Sequence, residues 1–108
     1  MSCQPTVLEA WREIGGALSS YTAEQQKTHR LALRVRSAGD AWQLAQARYG
    51  SGTAGLAAVL GSQRSHLQAR RDLQSSRRRL NTRYAAIQKA VGKVPGTQER
   101  STASSGQE

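Results

Sequence analysis

Two segments with apolar residues in seven-residue steps flank a glycine-rich tip, and this arrangement restricts the chain more than any other feature. In the first segment Val7, Ile14, Tyr21, Thr28, Val35, Trp42 and Tyr49 fall seven apart; in the second Val59, His66, Leu73, Leu80, Ile87 and Val94 do the same. A sustained seven-residue repeat keeps one stripe on one side of an α-helix, facing another helix. Between the segments lies Tyr49-Gly50-Ser51-Gly52-Thr53. Glycine at 50, 52 and 55 offers left-handed backbone, and Thr53 suits the cap of a helix starting near Ala54. The expected fold is all-α: a long antiparallel helical hairpin of coiled-coil type within 1–94, with arms over about 5–49 and 54–91 and a tip at 50–53.

The ends of both arms carry matching signals. Pro5 fits a first helical turn, and Glu9 and Glu13 place negative charge near the positive end of the helix dipole. Gly92 fits the position just after a helix, and Pro95 cannot continue one. Inside the first arm Gly15-Gly16 is a weak point where a kink or break is expected, since an interior glycine costs about 1 kcal/mol relative to alanine. Leu56, Leu60, Leu67, Tyr84 and Val91 are read as widening the second stripe. Residues 95–108 have the composition of a disordered tail.

A chain of 108 residues holds one small domain at most. Arms of about 55 to 65 Å, at about 1.5 Å per residue, are too long for two helices to bury their apolar residues unaided, so partner helices are implied. Cys3 is alone, which excludes an internal disulfide or a cysteine metal cluster. No window approaches the ~18 apolar residues of a membrane span, and Met1-Ser2 leaves no apolar stretch before Cys3, so a lipoprotein signal is not expected there.

Charge is concentrated on one arm. Residues 5–49 carry six basic and four acidic side chains, whereas residues 54–94 carry nine and one. The densest run, Arg70, Arg71, Arg77, Arg78 and Arg79, forms a basic face. Its simplest reading is a solvated or ion-paired helix face. The run could also grip nucleic-acid phosphates or an anionic membrane surface, but no aromatic residue interrupts Arg77–Arg79 and no zinc or recognition-helix pattern accompanies it, so the nucleic-acid reading rests on charge alone and nucleic acid is not the expected partner. Catalysis and cofactors have no foothold either. His29 and His66 each stand apart from further metal-ligating or carboxylate residues, and the tip glycines lack the strand and Lys-Ser/Thr pair of a phosphate loop. His66 falls on the apolar stripe and is expected to pack there.

Trp42-Gln43-Leu44-Ala45-Gln46-Ala47-Arg48-Tyr49, the glycine-containing turn, Leu56, Val59-Leu60, Ser62-Gln63-Arg64, Leu67 and Lys89-Ala90-Val91-Gly92 resemble the C-terminal helical hairpin of bacterial outer-membrane efflux channels, the TolC-like family, over residues 5–93. The resemblance implies a non-enzymatic, homotrimeric export conduit, with a β-barrel in the outer membrane and an α-helical barrel in the periplasm. It also implies a periplasmic adaptor protein and an inner-membrane pump as partners. By position Ser51, Gly52 and Thr53 would form the adaptor-contacting tip, and Tyr49 would help close the channel entrance. Ala58 and Gly61 stand at entrance positions that are acidic in studied members, so no acidic ring is assigned. Several arginines of the second arm also replace neutral positions of the family. Without signal sequence, β-strands or a first repeat, the chain is expected to be a fragment of such a channel, one that would stay in the cytoplasm if made alone. A free-standing basic coiled-coil module binding partner helices or nucleic acid is the alternative.

Overall fold

A computed structural model describes residues 7–94. Among the described residues there are two α-helices, α1 (Val7–Gly50) and α2 (Leu56–Gly92), joined by a turn over 51–55, and no strand. The all-α helical hairpin expected from the two seven-residue repeats is what forms. Pro5, Pro95, Cys3 and the tail from 95 onward lie outside the described residues. Helix α1 continues through Gly15 and Gly16, where the sequence predicts an interruption. A side chain added at either glycine would meet nothing within 4 Å, so the pair serves no close packing.

Contacts divide the chain into two compact units, Met1–Ala23 with Leu80–Glu108, and Glu24–Arg79. In the first unit Ala10, Ile14 and Ala90 are buried. Tyr21 packs tilted on Tyr84 at a ring separation of 6.1 Å, and Lys93 Nζ donates to Glu13 Oε1 at 2.8 Å. These pairs set the helix segments antiparallel. In the second unit Leu31, Ala69 and Leu73 are the buried apolar residues, joined by two buried polar ones, Glu24 and Ser76. Trp42 lies on His66 with ring centres 5.6 Å apart.

The buried surface of each helix has two rows. The row of larger residues is the one the seven-residue pattern predicts, apart from its outer members Val7 and Tyr49, which are about half exposed. Beside it on α1 runs a second row in seven-residue steps: Ala10 and Ala17 in the first unit, Glu24, Leu31, Ala38 and Ala45 in the second, all buried or half-buried. Helix α2 answers with Ala90 in the first unit and Ser62, Ala69 and Ser76 in the second. Small side chains in one row let helix backbones approach while the other row fills the space between them.

Leu56, Leu60, Leu67 and Tyr84 do not widen the buried stripe as expected. Their exposures are 51, 48, 40 and 53%. Counted at 100° per residue, the first three fall well round the helix from His66 and Leu73, which turns them outward. Val91 is half-buried, as expected. Gly92 ends α2 without the positive φ of a left-handed cap; the last turn is closed instead by Lys93 N–H to Ala90 O at 3.2 Å and Val94 N–H to Val91 O at 3.1 Å.

Candidate functional site

The tip is built around the end of α1. Gly52 has φ of 83°, a region in which side chains with a Cβ are strained. The Gly52 N–H donates to Tyr49 O at 3.1 Å and the Thr53 N–H to Arg48 O at 2.8 Å, the paired bonds of a Schellman cap with glycine in the left-handed position. Arg48 O also accepts the Ala54 N–H at 3.2 Å, the Ser51 hydroxyl at 3.1 Å and the Thr53 hydroxyl at 3.2 Å. Thr53 was suited by type to cap α2, but its side chain closes α1, and α2 begins at Leu56 with Ala58 N–H bonded to Gly55 O at 3.1 Å. Ser51 Oγ and Thr53 Oγ1 lie 3.1 Å apart, so both hydroxyls are committed within the tip.

Ser51, Gly52 and Thr53 are all exposed, as a contacting tip would require. Tyr49, Ala58 and Gly61 are exposed as well, and a side chain added at Gly61 would meet nothing within 4 Å. Gln63 is half-buried and Arg64 exposed. The tip is therefore rigid in its backbone bonding and open at its surface.

The arginine run is sorted by the helix into separate places. Arg70, Arg71 and Arg78 line a cleft of about 490 Å³ on α2 with Leu67, Gln74 and Ser75. A second cleft, of about 360 Å³, lies between α1 and α2 and is lined by Lys27, Leu31, Arg34, Asp72, Ser75 and Arg79. Arg77 lines neither of these two clefts and is exposed. Arg79 Nε reaches both carboxylate oxygens of Glu24 at 3.4 Å.

Glu24 is the polar feature that the seven-residue reading missed. It is 5% exposed and occupies the small-residue row, where Ser76, itself fully buried, donates its hydroxyl to Oε2 at 2.6 Å. Thr28 Oγ1 lies 2.6 Å from Ser76 Oγ and 2.8 Å from the Glu24 backbone oxygen. With the Ser76 hydrogen on the carboxylate, one Thr28 hydrogen serves both of these contacts. The Ser76 hydrogen bond lowers the Glu24 pKa below the ordinary 4.5; burial opposes it, and Arg79 assists. The signal was available in sequence: Glu24 and Leu31 are seven apart, in step with Ala10, Ala17, Ala38 and Ala45.

His66 packs on Trp42, as its place on the stripe predicts, and His29 is exposed. Among the described residues, no three His, Cys, Asp or Glu side chains are grouped to hold a metal ion, and no helix is long and apolar enough to cross a membrane. No family model, curated protein or solved structure matches the chain.

Proposed function

We propose that this chain works by docking helices rather than by chemistry, as one hairpin in the helical wall of a TolC-like export conduit. One observation supports this reading above the others. In the second unit both helices turn large apolar residues outward: Leu33 and Leu44 on α1, and Leu56, Leu60 and Leu67 on α2, each 40–51% exposed. Leu33 and Leu44 are eleven residues, about three turns, apart; Leu56, Leu60 and Leu67 follow at steps of four and seven. Each set therefore forms a face of its helix, and a hairpin with an outward apolar face on both helices suits neighbours on two sides.

In this reading the exposed tip Ser51-Gly52-Thr53 meets a periplasmic adaptor, with Tyr49, Ala58 and Gly61 beside it at the entrance. The intact assembly is a homotrimer at the outer membrane, serving an inner-membrane pump. Opening would consist of packed helices sliding relative to one another, a shear motion.

Sedimentation of the full chain tests the docking step. Association that rises with concentration, and that Leu44→Gln with Leu60→Gln abolishes while circular dichroism still reports helix, is the expected result. A fully helical monomer at every accessible concentration would sink the reading. Cross-linking from a photoreactive residue at position 53 to a periplasmic adaptor tests the partner.

A further inference from the structure

We propose that the outward seam of α2 takes an acidic amphipathic helix of a partner polypeptide. The inference rests on the docking reading for the kind of element that covers this face, and adds what that element must carry. Leu60, Arg64, Leu67, Arg71, Gln74 and Arg78 follow one another on α2 at alternating steps of four and three, and all six are exposed. Such spacing keeps side chains on one narrow stripe that a second helix can follow. Leu56 extends the stripe by one further step of four. It is a second seam, turned away from the row of His66 and Leu73 that packs inside the hairpin.

Leucine alternates with arginine along this seam. Leu67, Arg70 and Arg71 line the same cleft of about 490 Å³, so one partner can use the apolar and the charged positions together. Arg64 and Arg71 carry the charge it would meet. Among the described residues neither is paired with a carboxylate, whereas Arg78 donates to Ser75 Oγ at 3.1 Å. The carboxylates of residues 24–79 lie off the seam: Glu24 is buried with Ser76 and Arg79, Asp72 lines the cleft between α1 and α2 and accepts from Gln68, and Asp40 belongs to α1. Arginine stems cover apolar neighbours while the guanidinium forks match carboxylates, so the seam is complementary to a helix of opposite charge.

The make-up of the stripe selects that partner over others. A membrane surface needs a broad apolar face, and the residues beside this seam are Ala57, Gly61, Gln63 and Gln68 rather than large apolar ones. A nucleic-acid backbone offers nothing for Leu60 and Leu67 to cover. A second copy offers Leu33 and Leu44 but little negative charge, since residues 24–50 hold five basic and two acidic side chains and one of the two, Glu24, is buried. An acidic helix supplies both apolar residues against Leu60 and Leu67 and carboxylates against Arg64 and Arg71.

The probe is a fluorescein-labelled peptide of four repeats of Leu-Ala-Ala-Gln-Glu-Ala-Gln, whose Leu and Glu recur at the same steps of four and three. Fluorescence anisotropy follows its titration with the full chain. It should bind about tenfold more tightly than the same peptide with Gln for Glu, the order expected of two exposed ion pairs, and a Lys-for-Glu peptide should bind more weakly still. Leu60→Gln with Leu67→Gln should abolish binding while circular dichroism still reports helix. Arg64→Glu with Arg71→Glu should reverse the preference toward the Lys peptide, a gain that an unfolded chain would not show. Arg12→Glu with Lys89→Glu reverses the same charge at exposed positions of the first unit and should leave the preference unchanged.

No binding of the acidic peptide would overturn the proposal, as would equal binding of a peptide of the same composition whose Leu and Glu share no stripe. A preference that survives the charge reversal, or tighter binding of oligothymidylate or of phosphatidylserine vesicles than of the peptide, would do the same. Sedimentation separates this outcome from that of the docking reading. A chain that self-associates through Leu44 and Leu60 and ignores the peptide keeps that reading and loses the acidic partner; a chain that stays monomeric yet takes the peptide does the opposite.

Discussion

Ser76 Oγ donates to Glu24 Oε2 at 2.6 Å across fifty-two positions of sequence, and neither residue belongs by type in a helix–helix seam. Their neighbours in the same rows are alanine and leucine: Ala17 and Leu31 beside Glu24, Ala69 beside Ser76. Two buried polar groups that satisfy each other fix which residue faces which, because a slip of one helix past the other leaves a carboxylate without its donor. Alanine rows set no such preference, since one small residue fits opposite another at many offsets.

Ser76→Ala should therefore cost about 1.5–3 kcal/mol, the range for losing a hydrogen bond to a charged group, since Arg79 remains on the carboxylate. Adding Glu24→Leu to Ser76→Ala should recover most of that loss, because replacing a buried polar or ionic cluster by apolar residues is often neutral or stabilising. Urea unfolding of the wild type, the two single variants and the double variant measures the coupling directly. Simple additivity of the two changes would show that the pair does not act as a unit.

The lowered Glu24 pKa gives acid sensitivity with a definite sign. The carboxylate is harder to protonate folded than unfolded, so it contributes stability that is fully present above its ordinary value of 4.5 and is lost as pH falls through the lower folded value. Thermal midpoints of the wild type should drop on acidification below about pH 4.5, and Glu24→Gln should show a shallower fall over the same window. Parallel curves would mean that Glu24 does not set the acid limb.

The larger-residue rows were legible because Ile14, Tyr21, Trp42, Leu73 and Ile87 keep a strict seven-residue step, which only a helix turns into one face. Their companion row was less visible because alanine is equally at home on an exposed helix surface, so Ala10, Ala17, Ala38 and Ala45 announce burial only through their spacing. Leu56, Leu60 and Leu67 misled for the opposite reason: leucine suggests burial, yet their angles round the helix place them outside. The arginine run reads as one face in sequence, but consecutive residues point 100° apart, and the helix sends Arg78 and Arg79 to different clefts. Thr53 read by type as the cap of α2, and the left-handed turn at Gly52 overturns that by bringing its N–H back to Arg48.

That turn makes the tip sensitive to one position. Gly52→Val should destabilise by about 2 kcal/mol, since a β-branched residue is forced into left-handed backbone and the cap on Arg48 and Tyr49 is strained. Gly92→Ala should change stability little, because Gly92 has no positive φ and a side chain there would meet nothing within 4 Å. Matching shifts in melting temperature for the two variants would contradict the assigned cap.

Glycines inside α1 differ in what surrounds them, and alanine substitution should separate them. Gly15 and Gly16 are exposed and open, so each change to alanine should gain about 1 kcal/mol from helix propensity alone. At Gly39 the same gain is opposed: the new Cβ would sit 3.3 Å from His66 Nε2, and the imidazole is itself held against Trp42 at a ring separation of 5.6 Å. The ring can give way only by loosening that stack, so Gly39→Ala should gain clearly less than either of the other two or turn unfavourable. Equal gains at all three positions in urea unfolding would mean that the Trp42–His66 stack yields freely and contributes little to the second unit.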